Sequence, residues 1–454
     1  MFYLLNFRIA VVMLITAMLL GLSACGGEAG KRTTTQIGGQ PDTSFGVDGM
    51  VLLDSYAGAT VEAYINSIAE DDQGRIVLGG QAQTGGLGKE AVVGRLLEDG
   101  SIDTSFNSTG YHIRNGDAGN AGGNDQVFAV SLDSAGNILA TGYGYGSWHS
   151  TLTWRFTSEG LLDTTFNIGS GVIMTSLSAT DDFGIAILQQ ADGKVLVGGS
   201  KVGTDENSYI MRLAADGTIE NPMVFNGASY FWSMPTPLSG RDEITSLAVD
   251  DAGRIYGSGF SLGDASLLLV RLNQDGTIDT TFATNGILLT KSGAATAAAY
   301  KMTLDKQGRI LLAGRIGDPG MEDMAVWRFL SDGSPDTSFG AGAGYVSFDL
   351  NNNTSWQQAV TIALDAQGRI LVGGNIHDTV KTDIALLRLN ADGTLDNTFN
   401  NTGYVWIDTT PEGEAGNNDN LKSMFIDARG RIVLGGQSDL GTLAQDMILW
   451  RFLP

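Results

Sequence analysis

Apolar positions in this chain come in short runs, and the runs come in a fixed order. Residues 64–69 alternate apolar and polar side chains, the pattern of a strand buried on one face. A D-x-x-G turn at residues 71–74 follows, then the run RIVLGG at 75–80 and a third run, VVGRLL, at 92–97. A turn containing Asp-Gly, the element DTSF at 103–106 and a short fourth run at 110–113 complete the unit. The phenylalanine that closes DTSF recurs at Phe45, Phe106, Phe166, Phe225, Phe282, Phe339 and Phe399, at intervals of 61, 60, 59, 57, 57 and 60 residues. So regular a period predicts an array of four-strand units.

The two ends settle its closure. The array opens on a DTSF element and a fourth-type run, residues 50–54, and stops after a third-type run, residues 447–453. Each end is an incomplete unit, and together they make one. The expected fold is therefore an all-β, seven-bladed β-propeller with four antiparallel strands per blade, closed by N- and C-terminal strands sharing one blade. An open solenoid would want polar capping repeats, and a membrane barrel aromatic girdles; neither pattern is present in the sequence.

Polar residues that recur with the period read as structure. Asp71 returns as Asp133, Asp250, Asp305, Asp365 and Asp427, with Gln190 as the exception, and is expected to cap its turn. The glycine that ends the second run, Gly80 in the first unit, is present in all seven copies and predicts a close backbone approach. One arginine per third run is followed eight residues later by an acid: Arg95 and Asp103, Arg155 and Asp163, Arg212 and Glu220, Arg271 and Asp279, Arg328 and Asp336, Arg388 and Asp396. Arg451 lies too near the end to have one, and Asp42 from the other end is its expected partner. Seven such pairs predict a repeated structural salt bridge.

The element D-G-x-L/I-D-x-S/T-F, close to pattern at Asp103, Asp163, Asp279 and Asp396, resembles the mark of the delta-60 repeat family, and the resemblance covers residues 38–454. Pro335 and the stretch NPMVF ending at Phe225 depart from it and predict a distorted fourth turn. The resemblance implies a β-propeller of bacterial envelope or exported proteins, with no assigned activity and no catalytic residues.

A site belongs where the copies differ. Loops after the second and fourth strands of a blade emerge on one face, and here they differ in every copy, while the uniform turns share the opposite face. Trp148, His149 and Trp356 fall in divergent loops, as candidates to stack on a sugar or anchor a protein. Asp117, Asp125, Glu412 and Asp419 stand in acidic loops rich in Gly and Asn, which makes them candidate calcium ligands, although no loop has the D-x-[DN]-x-[DN]-G spacing. Trp154, Trp327 and Trp450 precede the repeated arginines and read as structural. His112, His149 and His377 are scattered and accompany no nucleophile elbow, zinc motif or phosphate loop. The enzyme alternative is a carboxylate-dependent polysaccharide hydrolase or lyase, signalled by two acids within about 10 Å across the funnel beside an exposed aromatic.

Charge and the N-terminus supply the address. The formal charge of −23 repels phosphate backbones and anionic lipid heads, which speaks against nucleic-acid binding and leaves the membrane to a lipid anchor. Residues 1–24 pair one cation, Arg8, with an apolar run at 9–20 too short to span a bilayer, and read as a signal peptide. Leu22-Ser23-Ala24-Cys25-Gly26 resembles the bacterial lipoprotein signal, which implies lipidation of Cys25, with Gly26 favouring the outer membrane. Residues 25–37 then form a flexible polar tether. The expected role is binding or scaffolding at the cell envelope through recognition of a protein or glycan by the divergent loops, with a calcium-stabilised structural surface protein as a further alternative.

Overall fold

The structure, a computed structural model, describes residues 38–454 apart from 86–87, 121, 178–179, 203–206, 221–225, 227–230, 234–239, 351–354, 378–379, 409–417 and 440–444. Cys25, the signal segment, the tether, Phe225 and Glu412 lie outside the described residues.

The described residues form seven four-stranded antiparallel sheets and no α-helix. In blade 1 the strands run from the channel outwards as Ala63–Glu70, Ile76–Ala82, Glu90–Leu96 and Tyr111–Arg114. Blades 2 to 6 repeat this over residues 126–175, 182–233, 242–290, 296–348 and 357–407. Blade 7 joins three strands of residues 419–452 to Met50–Leu53, which pairs with Asp446–Phe452 in the register Met50 to Trp450. Each inner strand contacts the next around the ring, the last returning to the first.

Burial explains why the runs differ. The second and third strands of blade 1 are buried at every position, because neighbouring blades cover both sheet faces. Their sequences are accordingly apolar over most of their length, interrupted by Gln81, Glu90 and Arg95, while the inner strand alternates. The apolar clusters span blades: Val77 and Val93 of blade 1 pack with Val127, Leu152 and Trp154 of blade 2. Trp154, Trp327 and Trp450 are 0, 1 and 4% exposed, which confirms them as core.

The glycine ending each second run has a specific task. In every blade the inner strand carries one extra residue opposite it, a bulge at Asn66, Phe128, Ile185, Thr245, Tyr300, Val360 and Lys422. The bulge pushes a carbonyl across the ladder. A Cβ on Gly80, Gly142, Gly199, Gly259, Gly314, Gly374 or Gly436 would lie 1.7–2.2 Å from that oxygen, so only glycine fits.

Candidate functional site

The uniform face is occupied by its own structure. Asp103 shows the full arrangement: Oδ1 accepts the backbone N–H and hydroxyl of Ser105 at 3.0 and 2.5 Å, and Oδ2 accepts Arg95 Nε–H at 2.7 Å. The Arg95 guanidinium lies over the Phe106 ring at 4.9 Å and donates to the Ser158 carbonyl of blade 2. All seven arginines find their acids, including Arg212 with Glu220, and Arg451 with Asp42 at 2.8 Å. The amide after each closing phenylalanine also bonds a carbonyl of the next turn around the ring, at 2.6–3.0 Å in all seven seams, from Asn107 to Glu159 round to Asn400 with Gly38 and Gly46 with Asp99. The DTSF element is thus a latch between blades. The capping acids Asp71, Asp250, Asp305, Asp365 and Asp427 each take a further ion pair from the arginine four residues on, a partner that the turn chemistry alone did not reveal.

On the opposite face, two blades build an aromatic cluster at the channel mouth. Phe128 is the bulge residue of blade 2, Tyr143 follows the close-approach glycine of the neighbouring strand, and Phe183 stands on the inner strand of blade 3. Tyr143 packs between them, with ring centroids 5.5 Å from Phe128 and 5.3 Å from Phe183. His149 closes the group, 4.8 Å from Tyr143, 5.1 Å from Tyr145 and 5.3 Å from Phe183. Asp181 fixes the imidazole, its Oδ1 lying 3.0 Å from Nδ1 and accepting the His149 backbone N–H at 2.8 Å. Arg241 reaches over the Phe183 ring at 5.3 Å and pairs with Glu243 at 2.6 Å. Trp148 stands beside His149 with 55% of its surface exposed. The cluster rings are all half-buried, so they offer edges and faces to solvent next to fixed polar groups.

The other sequence candidates are dispersed. Trp356 stacks on His377 at 5.3 Å and 19°, with Ser355 Oγ 2.9 Å from His377 Nδ1, on blade 6. Asp117 and Asp125 share one loop, but their oxygens are engaged. Asp117 holds Arg114 and accepts the Trp154 indole N–H at 2.7 Å; Asp125 accepts the Gly116 and Tyr145 backbone N–H groups at 2.6 and 3.0 Å. Asp125 is fully buried, and burial raises its pKa above the ordinary aspartate value against the pull of those two amides. Asp419 occupies the equivalent first inner-strand position in blade 7, as Asp182 and Asp242 do in blades 3 and 4, and all are fully buried. In blade 3 the same carboxylate accepts the Leu177 N–H at 2.6 Å. The four acids share one repeat position, visible in the sequence only once the bulges align the copies, and at Asp125 and Asp182 the carboxylate ties a loop down through its backbone N–H groups. Blade 1 separates Asp419 from Asp125, and among the described residues no three His, Cys, Asp or Glu side chains form a metal-holding group.

Inside the ring, a cavity of about 460 Å³ is lined by the inner strands of all seven blades. Its described lining includes one carboxylate, Glu243, whose pKa burial raises while Arg241 opposes the shift. Tyr300 is beside it, its phenol also pushed up by burial. A second cavity, about 1050 Å³, is formed by the last inner-strand residues and turns of blades 3 to 5 and shares Leu247 with the first.

Comparison with known proteins bears on this architecture. A family model for a β-propeller domain of unknown function (DUF5122) matches residues 74–106, 190–221, 253–282, 308–339 and 367–399. These stretches run mostly from the first turn of a blade to its latch, and they support assignment to a β-propeller repeat family. No curated protein sequence matches the chain. Among solved structures, an ulvan lyase of a polysaccharide lyase family, bound to a chain of GlcA and Rha3S, is 9% identical over 91% of this chain and 94% of its own, with a TM-score of 0.50. The Chaetomium thermophilum protein Sqt1, bound to the N-terminus of a ribosomal protein, is 9% identical over 89% of this chain and 100% of its own, with a TM-score of 0.46. A protein of unknown function from Dyadobacter fermentans is 11% identical over 90% and 100%, with a TM-score of 0.39. At 9% identity the likeness to the ulvan lyase is one of fold alone.

Proposed function

We propose that this protein is a binding propeller of the delta-60 repeat kind, held at the bacterial outer membrane through a lipidated Cys25, that recognises a glycan with its divergent face. The observation that carries the reading is the aromatic cluster of Phe128, Tyr143, His149 and Phe183 beside the exposed Trp148. Sugar rings present flat C–H faces edged by hydroxyls. Aromatic rings next to Asp181, Arg241 and Glu243 match both features, and the rigid ring holds them in place before the ligand arrives.

The test is a panel of envelope glycans titrated against residues 26–454, wild type and Trp148→Ala. Binding that weakens at least about tenfold in the variant, with an unchanged melting temperature, supports the reading. Absence of any glycan binding, or equal affinity in both proteins, defeats it. A lyase or hydrolase working in the funnel is the second reading, favoured by Glu243 with its raised pKa beside Tyr300. Release of new chain ends from a bound glycan, lost in Glu243→Gln, is its signature.

A further inference from the structure

The bulges decide what the channel presents. Where a strand carries an extra residue, the bulged side chain and its successor both turn to the same side, so each blade contributes two neighbouring residues to the lining of the 460 Å³ cavity. Seven blades thus make a belt around the channel. Its charged members are Lys301 of blade 5 and Lys422 of blade 7, and both are cations. Neither ammonium has an ion pair or hydrogen bond to any described residue.

That is unusual in a chain with 50 acidic residues against 27 basic ones, where a lysine easily finds a carboxylate. The nearest acid of the lining, Glu243, lies before the bulge of its strand and is taken by Arg241. Both lysines are solvent-exposed, and the solvent they meet is that of the channel. Protein encloses them, which lowers both pKa values from the ordinary lysine range. Two cations without counter-charges inside low-dielectric walls attract an anion more strongly than the same charges on an open surface.

We infer that the belt at Lys301 and Lys422 is an oxoanion site, shaped for the sulfate ester or carboxylate of an acidic glycan threading the channel. The carrier of the anion rests on the glycan reading given above; the anion site itself does not. The cavity suits one or two sugar units, being within the range of small-molecule pockets.

Inorganic sulfate is the first probe, titrated calorimetrically into residues 26–454 at constant ionic strength in chloride. Wild type should bind it, and Lys301→Met and Lys422→Met should each weaken binding about 10- to 100-fold, the usual worth of one charge-assisted hydrogen bond. Lys306→Met, on the exposed turn of blade 5, serves as the control and should leave affinity unchanged. The channel variants should fold at least as well as wild type, because each removes an uncompensated enclosed charge. No sulfate binding by wild type, or equal binding in all four proteins, overturns the site. Sulfated and uronate-containing oligosaccharides form the second arm. Trp148→Ala should lose the oligosaccharide and keep inorganic sulfate; a glycan lost in Trp148→Ala but bound equally by both channel variants would refute the channel as its anion site while sparing the mouth.

Discussion

Replacing Asp42 with Ala should open the seam where the two ends of the chain meet. Asp42 Oδ2 accepts Arg451 Nε–H at 2.8 Å, and its Oδ1 accepts the Ser44 backbone N–H at 3.0 Å and hydroxyl at 2.6 Å. Arg431 stands 3.7 Å away as a second cation. Arg451 is only 2% exposed, so removing its carboxylate leaves a buried charge with nothing but the Glu98 carbonyl and Ser44 hydroxyl as acceptors. Breaking such a pair from one side costs about 3–5 kcal/mol. A ring of this size melting as one unit has an unfolding entropy of about 0.9 kcal/mol/K, so the melting temperature should fall by about 3–6 °C. Asp103→Ala removes the same latch within a covalently continuous blade and should lose a similar amount. Only Asp42→Ala frees a chain end, so only it should accelerate hydrogen exchange of the Met50–Leu53 amides that pair with the last strand. A drop below about 1 °C, or seam amides as protected as in wild type, would refute the closure mechanism.

Acid should unfold the ring through these same latches. Burial alone would raise the pKa values of Asp42, Asp103, Asp163, Asp279, Asp336 and Asp396, but the Ser or Thr donors and the arginine outweigh it and hold all six below the ordinary aspartate value. A depressed folded-state pKa contributes stability above the unfolded value of about 3.9 and loses it as pH falls through the folded value, so urea midpoints should be steady from pH 7 to 5 and fall steeply below about pH 4. Gly314→Ala would place a Cβ 1.8 Å from the Ala298 carbonyl and should cost several kcal/mol by chemical denaturation, while Gly122→Ala, whose nearest contact is 3.7 Å, should be near neutral. Calcium should leave the melting temperature unchanged, because Asp117 and Asp125 already spend their oxygens on Arg114, Trp154 and backbone amides; a rise of several degrees would restore the metal reading. Cys25→Ser should release the protein from membranes, and unaltered partitioning would defeat the lipid anchor.

The period, the blade count and the latches were legible in the sequence because each is a local rule repeated in every copy. An arginine and an acid eight residues apart on one hairpin meet whatever the rest of the chain does, and Arg451 could be matched to Asp42 because six copies had already defined the missing half. The divergent loops were legible by contrast with those uniform turns, and Trp148 and His149 were found there. The aromatic cluster was not, since Phe128 and Tyr143 meet on adjacent strands of blade 2 and Phe183 joins them only across the seam from blade 3. The channel belt left no signal at all. Bulge positions hold Asn, Phe, Ile, Thr, Tyr, Val and Lys because they line the channel, where the blades share no common packing partner, and the glycine opposite records only that a bulge exists. Repetition along the chain therefore specified the scaffold, while closure of the ring decided which unrepeated side chains face one another, and Lys301 and Lys422 came to share a cavity only through it.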